Sequence, residues 1–170
     1  MSKENVEKGM LDEARMITYA FIVGTMGFLK DNSIQIKEWL NYLGNTLEDS
    51  WSNLAGKGAD EVMDYLLATA VLPLGAEVVS KKGNSTRAEV TVTVLPSEKV
   101  TEKFSSFSRN ILSDFGVTRR EFSLIYMIFE PIARAIGFNF THDLEDDKEV
   151  LILEKIPPVK VKRGRPRTRV

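Results

Sequence analysis

Apolar positions in the first part of the chain recur every three or four residues, which is the period of an α-helix. The spacing predicts helices at residues 5–30, 34–54 and 59–71. Their repeating positions are Val6, Met10, Ala14, Ile17, Phe21, Gly24 and Phe28 in the first, Ile36, Leu40, Leu43, Leu47, Trp51 and Leu54 in the second, and Val62, Met63, Leu66, Leu67 and Ala70 in the third. Pro73 and Gly75 are expected to end the third helix.

The pattern then changes to a period of two, which is typical of strands. Residues 76–82 and 86–95 are predicted to form a hairpin, because Gly83 and Asn84 between them tolerate the positive φ angles of a tight turn. In the second strand, Arg87, Glu89, Thr91 and Thr93 alternate with Ala88, Val90, Val92 and Val94. One face of this strand is therefore expected to be dry and the other to contact water.

Two more helices and a second hairpin are predicted after this hairpin. A fourth helix is predicted at residues 98–115, with Ser97 as its cap. Its apolar positions are Val100, Phe104, Phe107, Ile111, Leu112 and Phe115. A second hairpin is predicted at the end, with strands at residues 138–142 and 149–156 around an acidic turn.

The helix before that hairpin is the most apolar part of the chain. It begins with Thr118 and Glu121, whose spacing fits a capping box. Residues 122–129 include almost no polar position, so this helix is expected to be buried on all sides. Pro131 is expected to kink it, and Gly137 to end it in a left-handed conformation.

The order of the predicted elements is ααα–ββ–αα–ββ. Two hairpins that merge into one antiparallel sheet, with about five helices packed on one face, give the simplest α+β architecture for this order. We expect one globular domain at residues 1–156, followed by a disordered basic tail at residues 157–170.

Three short stretches of this domain carry a family resemblance. They are Leu43-Gly44-Asn45-Thr46-Leu47, the run from Leu72 to Val79, and the run from Pro131 to Phe138 before the last hairpin. With the element order, they resemble the 4-vinyl reductase-like domain, which shares its fold with subunits of TRAPP-type vesicle-tethering complexes. The resemblance covers roughly residues 34–156. It implies a non-catalytic module that forms pairs and holds an apolar small molecule among its helices.

Candidate residues for such a pocket are Trp39, Tyr42, Tyr126, Phe129 and Glu130. For the aromatic residues, the alternative is ordinary packing in the core or at an interface. Glu130 lies between Phe129 and Pro131, and it is either the polar group of the pocket or, as we prefer, an exposed residue at the kink.

The composition excludes several chemistries. The chain has no cysteine and one histidine, His142, so disulfides, thiolate metal sites, a cysteine nucleophile and a histidine-rich metal site are excluded. His142 and the nearby acidic residues are expected to form a solvated turn, because their spacing matches no calcium loop. We therefore expect no enzyme activity, no cofactor and no metal. The chain shows no signal peptide and no segment long enough to span a bilayer, so a cytoplasmic protein is expected.

Charge is distributed unevenly along the chain. The net charge is −1, but residues 157–170 contain six of the 23 basic residues and none of the 24 acidic ones. The rest of the chain therefore has 17 basic and 24 acidic residues, a net charge of −7. An acidic body with a basic tail indicates a polyanionic partner that the tail contacts.

The sequence of the tail narrows the choice of polyanion. Residues 163–166 read Arg-Gly-Arg-Pro, which resembles an AT-hook. A segment that contains Gly164 is thin enough for the floor of the minor groove, and Pro166 disfavours a helix. A·T tracts narrow that groove and attract inserted arginine. The predicted DNA-binding residues are Lys160, Lys162, Arg163, Gly164, Arg165, Pro166, Arg167 and Arg169.

Two hypotheses follow from these patterns. In the first, the protein is a dimeric DNA-associated protein of the regulatory or chromatin type, located with the nucleoid or in a nucleus, and its tails bind A·T-rich minor groove. In the second, the domain binds a small apolar molecule or another protein and has no role on DNA. The tail then serves solubility, or touches any polyanion, including RNA.

Overall fold

The computed structural model of the 170-residue chain describes residues 3–95 and 111–157. Its elements are α1 (Lys3–Asp31), α2 (Ile36–Thr46), a 3-10 segment (Glu48–Leu54), α3 (Ala59–Leu66) with a π turn (Leu67–Val71) and a 3-10 turn (Leu72–Leu74) after it, β1 (Val78–Gly83), β2 (Arg87–Thr93), α4 (Ile111–Asp114), α5 (Arg119–Ser123), a 3-10 segment (Leu124–Ile128), α6 (Phe129–Ala135), β3 (Phe138–Glu145) and β4 (Lys148–Lys155). The predicted fold class is confirmed: helices and two hairpins form an α+β fold.

The four strands form one antiparallel sheet in the order β1-β2-β4-β3. The two hairpins therefore join through β2 and β4, and β1 and β3 lie at the edges. The predicted alternation in β2 is confirmed, because Ala88, Val90 and Val92 are fully buried. In β3 and β4, Phe138, Phe140, Leu151 and Leu153 lie in the same core. The helices cover this face, and ion pairs such as Arg87–Glu154 belong to exposed side chains.

The prediction of one continuous helix at residues 34–54 is wrong, because α2 ends at Thr46. Leu47 and Trp51 have non-helical backbone angles, and a 3-10 segment replaces the second half. The change of direction buries the Trp51 ring, which stacks on Phe129 with ring centroids 5.6 Å apart. A straight helix would place Trp51 and Leu47 on one stripe, yet Leu47 is exposed here. Burial of the large indole decides the geometry.

The long apolar helix is also interrupted, although both of its ends are as predicted. The capping box is present: the amide of Glu121 donates to the Thr118 hydroxyl at 3.1 Å, and the amide of Thr118 donates to the Glu121 carboxylate at 2.8 Å. Gly137 has a left-handed φ of 91°. The break lies at the 3-10 segment Leu124–Ile128, however, and Pro131 falls in the first turn of α6, where a missing N–H costs nothing.

The prediction that this helix is buried on all sides is wrong. Phe122, Ser123 and Tyr126 are buried, but Leu124, Ile125, Met127, Ile128 and Phe129 are only partly buried. The sheet and α2 cover one side, and the other side borders the molecular surface.

Gly44 sets the distance between α2 and α6. A methyl group in place of its hydrogen would lie 2.4 Å from the Pro131 ring and 2.6 Å from the carbonyl oxygen of Ile128. The two helices therefore pack closely only because this position has no side chain.

The first predicted helix is confirmed, but its sequence stripe does not face the core. The core-facing side chains of α1 are Met16, Tyr19, Val23 and Met26. The hydroxyl of Tyr19 donates to the carbonyl oxygen of Leu74. The stripe that contains Ile17 and Phe21 lies on the opposite, exposed side.

In the parts of the chain that the structure describes, none of the helices has both the length and the apolar character that crossing a bilayer requires. Most of the helix predicted at residues 98–115 lies outside the described residues, which resume at Ile111. Nearly all of the predicted basic tail, residues 158–170, also lies outside them.

Candidate functional site: a cavity beside a buried histidine and glutamate

A carboxylate interrupts the apolar face of the sheet. Glu149 lies on β4 in phase with the buried side chains Leu151 and Leu153, and it is only 2% exposed. Its neighbours across the sheet are Val92 on β2 and Leu144 on β3. Among the described residues, one of its carboxylate oxygens, Oε2, has no hydrogen-bond partner. A buried carboxylate oxygen without a hydrogen-bond partner is costly and uncommon in folded proteins, which makes Glu149 a candidate functional residue.

The side chain that Glu149 faces is His142. His142 lies on β3 opposite Leu151, which makes it the diagonal neighbour of Glu149 on the same face of the sheet. The distance from His142 Nδ1 to Glu149 Oε2 is 3.9 Å, which is too long for a hydrogen bond. Like the carboxylate oxygen, this buried nitrogen has no hydrogen-bond partner in the described part of the chain.

Tyr126 completes the cluster from the helical side. Its ring lies over His142, with ring centroids 5.8 Å apart, and its buried hydroxyl also has no hydrogen-bond partner among residues 3–95 and 111–157. Burial, then the negative charge of Glu149, and then Tyr19 raise the pKa of Tyr126 well above its usual range. The phenol is therefore a neutral group beside a carboxylate.

A surface cavity of about 360 Å³ opens beside this cluster. It lies along the free edge of β3, and His142 forms part of its wall. Leu124, Met127 and Leu144 supply apolar lining, and the other lining residues are Lys37, Arg120, Ser123, Glu130, Thr141 and Asp143. Two basic and two acidic side chains balance each other there, so no single charge dominates the opening.

The arrangement can hold a small molecule and exchange hydrogen bonds with it. Nδ1 of His142 faces Glu149, and His142 forms part of the cavity wall, so its imidazole is a polar group beside any molecule in the cavity. At 3.9 Å, the Glu149 carboxylate lies too far from the imidazole to fix its tautomer through a hydrogen bond. The volume fits the lower end of small-molecule sites. Among the described residues, no group of three or more acidic, histidine or cysteine side chains is placed to hold a metal ion.

The five residues predicted to line a pocket lie in different environments in the structure. Glu130 lines the cavity, and Tyr126 lies behind its wall in the buried cluster. Phe129 packs between Trp51 and Phe140, and Trp39 packs against the core. Tyr42 is 70% exposed and does not line the cavity. Whether any of the five contacts a ligand stays a prediction.

The acidic turn divides into two parts. Asp143, Glu145, Asp146 and Asp147 are exposed, as expected for a solvated turn. His142 is different, because its side chain is only 11% exposed and belongs to the buried cluster. The predicted DNA-binding residues, Lys160 to Arg169, lie outside the described residues.

Sequence reasoning missed Glu149, although a signal for it exists. In Glu149-Val150-Leu151-Ile152-Leu153, the glutamate has the same parity as the two leucines that face the core. A strand with both faces apolar hides this signal, because Val150 and Ile152 make either parity a candidate for the inner face.

Comparison with known protein families, with curated protein sequences and with solved structures finds no match to this chain. The resemblance to the 4-vinyl reductase-like domain therefore stays a prediction, and the function has to be argued from the residues of the chain itself.

Proposed function

We propose that this is a non-enzymatic, dimeric DNA-associated protein that binds A·T-rich minor groove through its C-terminal tail. The observation that carries the proposal is the Arg163-Gly164-Arg165-Pro166 segment on a tail with six basic residues and no acidic one. The remainder of the chain has a net charge of −7 and would repel a phosphate backbone. The acidic domain therefore leaves the tail as the part that contacts DNA.

The position where the tail leaves the domain is compatible with this role. β4 ends at Lys155, and the amide of Ile156 donates to the carbonyl oxygen of Gly137 at 2.9 Å. The backbone is thus anchored up to the point where the tail begins. A single short tail binds weakly, and two tails in a dimer would raise the affinity through effective concentration.

The test measures binding of the full chain to two duplexes of equal length, one A·T-rich and one G·C-rich, across a range of salt. We expect preference for the A·T-rich duplex, and log K that falls by about 5 units per tenfold rise in salt if six phosphates are neutralised. A charge-preserving variant, Gly164→Leu with Pro166→Ala, is the matched control because it keeps all six basic residues.

The control decides between minor-groove binding and general attraction to polyanions. If binding depends on groove shape, the variant loses the A·T preference while it keeps much of the salt dependence. If the variant binds both duplexes as the wild type does, the minor-groove proposal is wrong. Unchanged affinity after removal of residues 158–170 would reject any role of the tail on DNA.

A second candidate function is a small-molecule-binding domain, which the cavity beside His142 favours. An anilinonaphthalene sulfonate dye is a suitable probe, because it combines apolar rings with a group that accepts hydrogen bonds. Leu124→Trp would fill the cavity and should weaken dye binding at least about tenfold.

Two further variants locate the dye. Tyr42→Trp adds the same indole at an exposed position outside the cavity, and it should leave dye binding unchanged. Ile17→Glu tests whether the dye binds the exposed face of α1 instead. Dye affinity that falls with Ile17→Glu and not with Leu124→Trp would reject the cavity as the binding site.

A further inference from the structure

Helix α1 has two apolar faces, and the rest of the chain at residues 32–95 and 111–157 covers only one of them. The covered face contains Tyr19, Val23 and Met26, which are fully buried. On the other face, the exposed fractions are 66% for Met10, 65% for Ile17, 74% for Phe21 and 62% for Phe28. These are among the largest apolar side chains at the surface of the described residues, and all four belong to one helix.

No charge interrupts this second face over most of its length. From Met16 to Leu29 the helix contains no acidic or basic residue. A helix that is apolar all round is normally buried all round. The exposed face of α1 is therefore expected to be covered when the protein is in its working form.

The spacing of the exposed positions indicates what covers them. Met10, Ala14, Ile17, Phe21, Gly24 and Phe28 are separated by four, three, four, three and four residues. This is the a/d repeat of two helices that pack along their lengths. We propose that the face defined by these six residues, the α1 stripe, packs against the α1 stripe of a second copy of this chain.

The side-chain sizes favour an antiparallel pair. With the two-fold axis beside Tyr19, Met10 lies opposite the partner copy's Phe28, Ala14 opposite its Gly24, and Ile17 opposite its Phe21. Each layer then combines an a position with a d position, as antiparallel pairs require. A parallel pair would place Phe21 against Phe21 and Gly24 against Gly24, and would alternate crowded layers with empty ones.

Phe115 continues the apolar surface where the stripe has no side chain. The ideal Cβ position of Gly24 lies 3.6 Å from the Phe115 ring, and Phe115 is itself 46% exposed. In the antiparallel register, Ala14 of the second copy faces this position. A small side chain there leaves room for the aromatic ring.

The exposed area is sufficient for a specific dimer. A Phe side chain presents on the order of 200 Å² when fully exposed, so Phe21 and Phe28 together offer about 270 Å². Met10, Ile17 and Phe115 bring the apolar area to roughly 500–600 Å² per copy, or more than 1,000 Å² for the pair before any polar rim is counted. A specific interface is expected to exceed about 1,000 Å² in total, which this pair does, and the patch on one copy lies at the upper end of the roughly 300–600 Å² typical of the largest apolar patch of a monomer.

The interface supplies the dimer of the proposed function, but it is measured without DNA, so a failure of the interface and a failure of DNA binding can be distinguished. Sedimentation equilibrium of the full chain over a concentration range reaching about 100 µM should show a dimer. Ile17→Glu or Phe21→Glu should raise the dimer dissociation constant at least about 30-fold, since each places a charge in the centre of the interface. Neither should unfold the monomer, because both positions are exposed. Tyr42→Glu is the matched control, since Tyr42 is an equally exposed aromatic residue on α2 and its substitution should leave the dimer intact.

The register has a separate test that uses the absence of native cysteines. In the antiparallel pair, Met10→Cys and Phe28→Cys chains should each form no disulfide dimer alone and should form one when they are mixed. A disulfide dimer of Met10→Cys alone would overturn the antiparallel register. A wild-type monomer throughout the concentration range would overturn the interface itself, and so would a monomer that binds phosphatidylcholine vesicles through Phe21.

Discussion

Replacing Glu149 by leucine should stabilise the protein. Glu149 is 2% exposed on the inner face of the sheet, between Val92 and Leu144, and its Oε2 atom has no hydrogen-bond partner among the described residues. Leucine continues the apolar series of β4 at that position. The substitution thus removes a buried polar atom and leaves no new one.

The expected gain in the free energy of unfolding comes from removal of the buried carboxylate alone. An unsatisfied buried polar group costs about 1–3 kcal/mol, so Glu149→Leu should raise the free energy of unfolding by about 2 kcal/mol. The substitution breaks no hydrogen bond to His142, because the 3.9 Å between His142 Nδ1 and Glu149 Oε2 is too long for one. For a chain of this size, the gain corresponds to a rise in Tm of about 4–8 °C.

Urea unfolding followed by far-UV circular dichroism measures the change. Glu154→Leu is the matched control, because Glu154 lies on the same strand but is exposed and forms an ion pair with Arg87. The control should gain nothing, since an exposed leucine leaves little apolar area buried.

A loss of more than about 1 kcal/mol in Glu149→Leu would refute this reasoning. It would mean that the carboxylate has a stabilising partner in the folded protein. The histidine–glutamate cluster would then be a structural element, and the cavity beside it would lose its main functional argument.

Three further predictions test the packing and the electrostatics of the fold. Gly44→Ala should lower the free energy of unfolding by about 1–2 kcal/mol in urea titrations, because α2 and α6 approach closely at this position. Gly9 has open space around it, so Gly9→Ala should raise the free energy of unfolding by up to about 1 kcal/mol. Burial acts to raise the pKa of Glu121, but hydrogen bonds from Lys30 and Thr118 outweigh burial and lower the pKa. Glu121→Gln should therefore lower the free energy of unfolding by about 0.5–1 kcal/mol at pH 7. The difference from wild type should vanish as the pH falls through the lowered pKa. Because burial, Glu149 and Tyr19 raise the pKa of Tyr126, its contribution to stability should be complete below pH 10.0 and decline above it, and Tyr126→Phe should flatten that decline in unfolding titrations between pH 8 and pH 11.5.

Local signals predicted the elements whose cause is local. The capping box at Thr118, the left-handed Gly137 and the alternation in β2 depend on side chains within a few residues, and the structure has all of them. The break after Thr46 depends on a distant contact, because it places the Trp51 ring against Phe129, far away in the chain. No glycine or proline within residues 124–128 marks the 3-10 segment there.

The candidate site was predictable only in part for the same reason. Glu130 was predicted to be either a polar group of the pocket or, preferably, an exposed residue at a kink; it is half-buried and lines the cavity, and a ligand-binding role stays a prediction. The cluster of His142, Glu149 and Tyr126 needs two strands and a helix to meet, and no spacing along the chain encodes that meeting.

The sequence alone determined the order of the elements that the structure describes and the contrast in charge between residues 1–156 and 157–170, because these properties reside in consecutive residues. The tertiary structure decided which face of each element is buried. Helix α1 shows the difference: its sequence has two apolar stripes, and only packing against the sheet and the other helices selects Tyr19, Val23 and Met26 and leaves Ile17 and Phe21 outside. An apolar pattern predicts that a helix face is buried, but only tertiary packing decides which residues bury it.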